Sequence, residues 1–490
     1  FHYADHAELL ARDGALIEGD KGRSALYGVY AFLERLGCRF VEPGLDVVPA
    51  AARLAAPAGR RTETAAFRLR TIFRVHIFPS KTAAYPGLDP GHHLPQIDWM
   101  AKRRLNHYAF YVDYFRYDLW EQHKHKVLGA LLDRGFEIEV AHHSIHYFCP
   151  PDEALDYGRY GPATYRIRHP DWYAGHQTRI GRPDVQAVVG ERFLAYARRN
   201  PELGFIGLWP ADAAVRPPVR GLGVTDGYVK FWNAMARALA AECPGKRLSI
   251  LAYYALLHAP RRVAPAPNLH AWFCPIDSNY HYPMSDGRLS RNFCRISKTR
   301  QPNRLYLSLL KRWIDRMPPG QACNFEYYGW TPALTPLVGK MRRDLAAYRD
   351  LSLGGVYAWA GFTYNLMGAE YRWARDLAVL PGLLWNPDAD PAAAEAGWAA
   401  GVFGRAGGEI LDVYRLLEQT HAREAARGLL AKPPWIPLDV LRRAQAVLAK
   451  ARRRADAPGA RRRIDLLEQT ACRACTERVY RRIGDWDQFL

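Results

Sequence analysis

The sequence predicts an α/β fold organised as a closed (β/α)8 TIM barrel, because eight β-rich runs alternate with helical stretches over most of the chain. Neighbouring parallel strands need a crossover connection, usually a helix, and these stretches supply it. An open doubly wound sheet is the alternative, but no glycine-rich phosphate loop follows any run, which removes its commonest functional version. The runs are 67–78, 105–115, 136–148, 205–212, 247–255, 268–276, 321–330 and 353–362.

The connections between the runs consist of helical stretches and two long segments. Two of them, 149–204 and 277–320, are long and contain Tyr, His, Pro and Arg. Long loops after barrel strands usually build a site, since irregular insertions on a rigid scaffold carry function. Helical stretches lie at 97–104, 126–135, 184–199, 226–242, 306–317 and 338–351.

Smaller units are predicted on either side of the barrel. In the N-terminal unit, 15–19 is a strand and 24–37 is an amphipathic helix with Gly37 as its C-cap. Residues 51–64 are small, polar and Pro/Gly-bearing, which is typical of a linker. The predicted domains are 1–60 (small α/β), 65–370 (TIM barrel) and 371–490 (helical).

Composition indicates a basic globular protein. Of its 490 residues 49% are hydrophobic, and the formal net charge is +19. Residues 421–490 hold 16 Lys+Arg against 8 Asp+Glu, but these lie in Ala/Leu-rich helical sequence without a nucleic-acid motif. We therefore expect solvated helix faces and no nucleic-acid partner. No apolar run is long enough to predict a membrane span.

Aromatic and polar side chains gather at the predicted C-terminal ends of the strands, where barrel enzymes place their chemistry. Aromatic rings pack on the C–H faces of sugars, and a few polar groups fix the hydroxyls. The pattern predicts a sugar pocket, with core packing as the alternative for each ring. The predicted pocket residues are His142, His146, Trp209, Tyr253, Tyr254, Trp272, Tyr328, Trp330 and Trp359.

Two carboxylates complete the predicted site. The run FIGLWPAD ends at a proline and Asp212, and Glu326 lies near the end of the seventh run. Hydrolysis of a glycosidic bond needs one acid to protonate the leaving oxygen and another as base or nucleophile. We predict that Asp212 and Glu326 face each other as this pair. The alternatives are a helix cap for Asp212 and a buried arginine partner for Glu326.

Metal and serine-nucleophile chemistry are disfavoured. Strand alternation puts His143 on the opposite face from His142 and His146, so no convergent third ligand is evident. Cys472 and Cys475 have CxxC spacing without a second pair. No GxSxG elbow is present. We expect no metal and no cofactor.

Several segments, together covering most of the chain up to about residue 420, resemble bacterial glycosidase-like proteins catalogued as a domain of unknown function. The more specific segments are GRSALYGVYAFLERLGCRFVEPGLDVVP (22–49) and LLWNPDADP (383–391), with looser matches in HHSIHYFCPPDE (142–153) and LWPADA (208–213). The resemblance implies a TIM barrel, an N-terminal domain like that of α-glucuronidases and β-hexosaminidases, and in some members endo-β-N-acetylglucosaminidase activity on N-glycans. Such proteins usually carry Asn-Asp-Gly where this chain has Ala-Asp-Ala, so only Asp212 carries over.

These observations predict a glycoside hydrolase, β-N-acetylglucosaminidase-like, that acts on an oligosaccharide or polysaccharide. With an N-acetyl sugar, the substrate's own acetamido oxygen could be the nucleophile. The alternatives are an α-glucuronidase-like hydrolase of uronic-acid glycans, which the net positive charge favours, and a non-catalytic glycan-binding protein. The resemblance also favours export to the periplasm or the cell exterior.

Overall fold

A computed structural model describes most of the chain. The described residues are 6–11, 15–50, 59–73, 76–77, 89–112, 117–149, 169–174, 177–212, 215–279, 281–293, 299–328, 337–359, 374–426 and 436–469.

Eight parallel strands close into a barrel, which confirms the predicted TIM-barrel fold. The first strand closes the ring because its two pieces pair on different sides: Leu69–Phe73 with the eighth strand and His76–Ile77 with the second. Strands one to eight are Leu69–Phe73 with His76–Ile77, His107–Val112, Glu137–Ala141, Phe205–Gly207, Arg247–Ala252, Leu269–Phe273, Ala322–Glu326 and Gly355–Trp359.

Side chains alternate between the barrel interior and the layer under the helices. Inside, Phe325 stacks on Tyr357 with ring centroids 4.5 Å apart, while outward residues such as Leu248 belong to a larger core shared with the helices. At the seam between strands eight and one, a Cβ on Gly355 would lie 2.6 Å from the carbonyl oxygen of Leu69. This close approach therefore requires glycine.

Helices surround the barrel where the sequence predicts them, and strands five and six are joined by the 3-10 turn Tyr254–Leu257. Each long connection contains a short antiparallel pair, Tyr173–Ala174 with Gln177–Thr178 and Leu289–Phe293 with Arg300–Pro302. The helices between the strands are Pro90–Lys102, Asp118–His123, Leu128–Asp133, Ile145–Phe148, Pro183–Arg199, Val224–Glu242, Asn303–Arg316 and Val338–Asp350, with 3-10 turns at Lys124–Lys126 and Pro170–Trp172.

The N-terminal unit combines a three-stranded antiparallel sheet, a hairpin and the helix Gly22–Arg35. The hydroxyl of Tyr27 on this helix donates to the carbonyl of Leu105 (2.8 Å), which ties the unit to the barrel. The linker interpretation of 51–64 is wrong in part, because Arg61–Thr64 is a strand that pairs with His6–Ala11. The strands are His6–Ala11, Ala15–Gly19 and Arg61–Thr64 in the sheet, and Arg39–Glu42 and Leu45–Val47 in the hairpin.

The described residues after strand eight, 374–426 and 436–469, are mainly helical, as predicted. Ala374–Trp385 packs against Val338–Asp350 and strand one, the place of an eighth barrel helix. We therefore propose a barrel boundary near residue 385 in place of 370. The following helices share their own hydrophobic core. They are Pro391–Phe403, Gly407–Ala426, Leu438–Arg454 and Ala460–Glu468, with a 3-10 turn at Gly404–Ala406.

Within the described ranges, no helix combines the length and the apolar character that crossing a membrane requires. In the same ranges, no group of three or more His, Cys, Asp or Glu side chains could hold a metal ion. Cys472 and Cys475 lie outside them.

Candidate active site

The C-terminal ends of the strands carry a cluster of aromatic side chains, and we call this end of the barrel the mouth. Five rings from strands two, four, five, seven and eight meet there: Tyr111, Trp209, Tyr253, Tyr327 and Trp359. The ring centroids of Tyr111 and Trp209 are 5.8 Å apart, and those of Tyr327 and Trp359 are 5.6 Å apart. The structure thus brings the predicted Trp209, Tyr253 and Trp359 together, and adds two tyrosines that alternation along their strands could have identified.

Asp212 lies beyond the end of strand four. The strand stops at Gly207, earlier than the run FIGLWPAD suggests, and Trp209 lies among the rings of the mouth. Gln177 clamps this segment: its Oε1 accepts from the amide of Ala211 (3.2 Å) and its Nε2 donates to the Ala211 carbonyl (2.9 Å). Asp212 itself is exposed, so a backbone that is held at the preceding residue presents a solvent-facing carboxylate.

His143 is buried beside Asp212. Its Nδ1 lies 2.6 Å from the Pro210 carbonyl, which can only accept, so Nδ1 carries the proton and Nε2 has the lone pair in the neutral ring. Burial lowers the pKa of His143, and the negative charge of Asp212 acts in the opposite direction. The ring is 6.0 Å from Trp209 and 6.3 Å from Tyr253, centroid to centroid, so it belongs to the mouth.

The two predicted histidines differ in position. His142 packs perpendicular to Tyr111 with ring centroids 3.8 Å apart, and so lies at the mouth. His146 is on the short helix Ile145–Phe148, where its Nδ1 is 3.3 Å from the Thr178 hydroxyl and its ring stacks on Tyr173 at 6.2 Å. His146 therefore supports the hairpin that carries Gln177.

Glu326 does not face Asp212 across the mouth. It lies on the outward side of strand seven with Asn324 and Tyr328, while Phe325 and Tyr327 face inward. The Tyr348 hydroxyl and the Asn324 amide both donate to Glu326 Oε1. The carboxylate is buried between the strand and the helix Val338–Asp350, which argues against the predicted pairing with Asp212.

Tyr328 has the same orientation, because Lys340 of that helix lies over its ring at 5.2 Å. Lys340 also forms a buried ion pair with Asp344. Burial raises the pKa of Asp344 to about 6. The positive charge of Lys340 acts to lower this pKa, and the negative charge of Glu326 acts to raise it. These side chains form a polar layer behind strand seven and do not line the mouth.

Trp272 lies deeper in the barrel. Its Nε1 is 3.2 Å from both carboxylate oxygens of Glu139, which also lies 3.0 Å from His107 Nε2. Glu139 and His107 are fully buried, so these three residues are interior core. Tyr254, in contrast, packs on Tyr253 at 4.0 Å and has a φ of 51°, a strained conformation that is common at functional sites.

The remaining predicted pocket residue, Trp330, lies outside the described residues, as does Asp113 at the end of strand two. Asp277 follows strand six and is buried, at 5% exposure. Its neighbour Ile276 packs in the barrel interior with Trp359 and Tyr253, which puts Asp277 at the same end of the barrel as Asp212.

Solved structures with a similar fold include three glycoside hydrolase structures. A family 89 glycoside hydrolase from Clostridium perfringens, in complex with 2-acetamido-1,2-dideoxynojirmycin, superposes with a TM-score of 0.52 at 11% identity over 85% of this chain and 49% of that one. CpGH89 from the same organism, with two glutamates replaced by glutamine and in complex with its substrate GlcNAc-alpha-1,4-galactose, gives 0.50 at 11% identity over 85% and 48%. CpGH84B gives 0.50 at 10% identity over 95% and 74%.

This chain thus spans about half the length of the family 89 enzyme, and the likeness concerns the fold alone. No curated protein matches the sequence. A family profile described as "Domain of unknown function (DUF4838)" matches residues 40–415, which include the hairpin, the whole barrel and the start of the helical region. The chain therefore belongs to the DUF4838 family.

Proposed function

We propose that the chain is a glycoside hydrolase that cleaves a glycosidic bond of a complex glycan, in the manner of β-N-acetylglucosaminidases. One observation carries the proposal: an exposed Asp212 stands on a clamped backbone at the rim of an aromatic mouth, next to the buried His143. Aromatic rings pack on the apolar face of a sugar. A carboxylate at the end of a barrel strand places a negative charge near the positive charge that develops at the anomeric centre in the transition state. The N-acetyl class is supported by the ligands of the similarly folded family 89 enzyme.

The chemistry follows from an N-acetyl substrate. The acetamido oxygen forms a bond to the anomeric carbon while the bond to the leaving oxygen breaks and that oxygen takes up a proton. Asp212 orients the acetamido group and stabilises its developing positive charge. Because Glu326 is turned outward, we assign the proton donation to Asp277, the remaining acid among the described strand ends at this side of the barrel. His143 hydrogen-bonds at the rim through Nε2.

The test compares Asp212→Asn and Asp277→Asn with the wild type on N-glycan oligosaccharides and on 4-nitrophenyl N-acetyl-β-glucosaminide. Both variants should lose at least ~100-fold in kcat/KM on oligosaccharides, the low end for general acid–base groups. The loss in Asp277→Asn should be much smaller on the nitrophenyl substrate, because nitrophenolate leaves without a proton. Asp212→Asn should be impaired on both. The exposed Asp439→Asn on a distant helix is the matched control.

Turnover close to that of the wild type in Asp212→Asn would refute the proposed role of this residue. Oligosaccharide binding by the wild type without any product would instead favour the glycan-binding alternative. Activity confined to glucuronoxylan oligosaccharides would favour the α-glucuronidase-like alternative.

A further inference from the structure

A second concave site lies at the other end of the barrel from the mouth. It is a cleft of about 440 Å³ between the N-terminal unit and the helices Ala374–Trp385 and Pro391–Phe403. Arg104, in its lining, precedes strand two, and the Trp385 carbonyl accepts from the amide of Ala66, just before strand one. The position of Arg104 and the hydrogen bond of Trp385 both place the cleft at the N-terminal ends of the strands. Its volume is in the usual range for small-molecule sites, about 300–1,000 Å³.

A row of alternating charges runs along the cleft. Glu34 accepts from Arg104 and, at 3.5 Å, from Arg103. Glu63 accepts from Arg104 at 3.1 Å and from Arg61 at 2.5 Å. Three arginines thus share two carboxylates, and an arginine stands at each end of the row. The row contains three guanidinium groups and two carboxylates, so its net charge is positive.

The rim adds further positive charge. Arg35 and Arg39 line the cleft and are exposed. Arg39 donates to two backbone carbonyls, which leave its charge unneutralised. The third lining acid, Asp390, accepts from the Ala392 amide, so the lining holds five arginines against three acids. Burial lowers the pKa of the Arg103 guanidinium. The nearby Glu34 carboxylate raises this pKa, and the positive charges of Arg104 and Arg39 lower it further.

The walls between these charges are mainly small and apolar. These walls and charges suit a ligand with an anionic group for the arginines, which bind planar carboxylates in a bidentate manner, and a compact body with C–H surface for the walls. A pyranose ring with a C5 carboxylate has both. The small lining residues include Gly28, Ala31, Pro381, Ala389 and Ala393.

We propose that this cleft binds a hexuronate unit of an anionic glycan, at a site separate from the mouth. Bound there, the carboxylate extends the charge row, with Arg39 and Arg103 as its partners. The site would hold an acidic glycan on the protein while a different part of the glycan enters the mouth. This role differs from a uronate substrate, because no bond breaks in the cleft.

Isothermal titration calorimetry on the full chain tests the proposal with D-glucuronate as the probe. D-Glucuronate should bind in the millimolar range and D-glucose should not, because only the uronate carries the carboxylate. Arg39→Gln should weaken binding about tenfold, which corresponds to ~1.4 kcal/mol. Ala393→Trp, an exposed position in the lining, should block the cleft and abolish binding. The exposed Arg442→Gln, outside the cleft, is the matched control and should bind normally.

Asp212→Asn separates this inference from the proposed function. Glucuronate binding that survives in Asp212→Asn and is lost in Ala393→Trp supports the cleft, whether or not the protein hydrolyses glycans. Binding that is unchanged in both cleft variants overturns the proposal. So does equal binding of glucose, or displacement of glucuronate by equimolar sulfate, which would reveal a site for any small anion.

Discussion

At the scale of single residues, His143 lies between the buried aromatic rings of the mouth and the exposed Asp212. The Pro210 carbonyl fixes its tautomer and burial keeps its ring neutral near physiological pH. Protonation would place a second N–H and a positive charge next to Asp212. The ionisation of His143 therefore affects both the hydrogen bonds available to a substrate and the stability of the fold.

His143→Asn tests the effect on stability, because asparagine removes the titrating ring while retaining a side-chain N–H. The pKa of His143 in the folded protein is below its ordinary value of 6.5, so the unfolded chain binds this proton first as the pH falls. The stability that the neutral ring provides is thus present above 6.5 and lost below it. The free energy of unfolding should fall more steeply in the wild type than in the variant between neutral and mildly acidic pH. Denaturant titrations measure it, and parallel curves would contradict the prediction.

At the scale of elements, strand seven and the helix Val338–Asp350 are held together by a buried polar layer. Glu326 is its centre, with Tyr348 and Asn324 as donors. Burial of the Tyr348 ring, together with the nearby Glu326 and Asp344 charges, raises the pKa of its hydroxyl, so it remains a donor. The layer explains how a carboxylate can stay inside the protein without taking part in catalysis.

Tyr348→Phe should destabilise the fold by ~1–3 kcal/mol, the cost of leaving a buried acceptor with one donor fewer. Turnover per folded molecule should remain close to that of the wild type, because the layer lies behind the strand. Tyr228→Phe is the matched control: its ring is also buried, and burial alone raises the pKa of its hydroxyl. Urea unfolding measures the difference, and equal losses in the two variants would show that the hydrogen bond to Glu326 contributes little.

Strand seven also shows where sequence reasoning stops. Its existence follows from a continuous β-rich run, but both of its faces are buried, one by the interior and one by helices. A strand of a parallel barrel lacks the apolar–polar alternation that would identify its inward face. Glu326 and Phe325 therefore look equally suited to the mouth in the sequence, and only the closed barrel distinguishes them.

The ends of the strands are also difficult to predict from the sequence. The run 136–148 is β-rich throughout, yet the strand stops at Ala141 and a helical turn begins at Ile145. Alternation assigned over the whole run puts His142 and His146 on one face, whereas the bend brings His142 and His143 to the mouth. The position of Asp212 beyond a strand end is easier to predict, because Pro210 marks the end of the β-rich run in the sequence, although the strand itself stops at Gly207.

At the scale of the whole molecule, Arg375 joins the barrel to the helical region. It is almost fully buried and lies 3.0 Å from both Asp376 and Glu418 and 3.7 Å from Glu395. Burial raises the pKa of Asp376 to about 6, although Arg375 lowers it. One guanidinium therefore contacts acids from three helices, of which Asp376 is fully buried and Glu418 is partly exposed.

Arg375→Met should cost ~3–5 kcal/mol of stability, because it leaves the buried Asp376 carboxylate without its cation. Arg415→Met is the matched control. It breaks an exposed ion pair with Asp412 and should cost less than ~1 kcal/mol. Chemical denaturation followed by tryptophan fluorescence compares the two. A loss in Arg375→Met no larger than that of the control would show that the buried network adds no net stability.

The seam between strands one and eight has a consequence for synthesis of the chain. Leu69–Phe73 emerges early from the ribosome, but its partner Gly355–Trp359 follows almost three hundred residues later. Until then the growing sheet has two open edges, and open edges pair readily with other extended chains. We therefore expect a product that is truncated before Gly355 to aggregate more readily than the full chain.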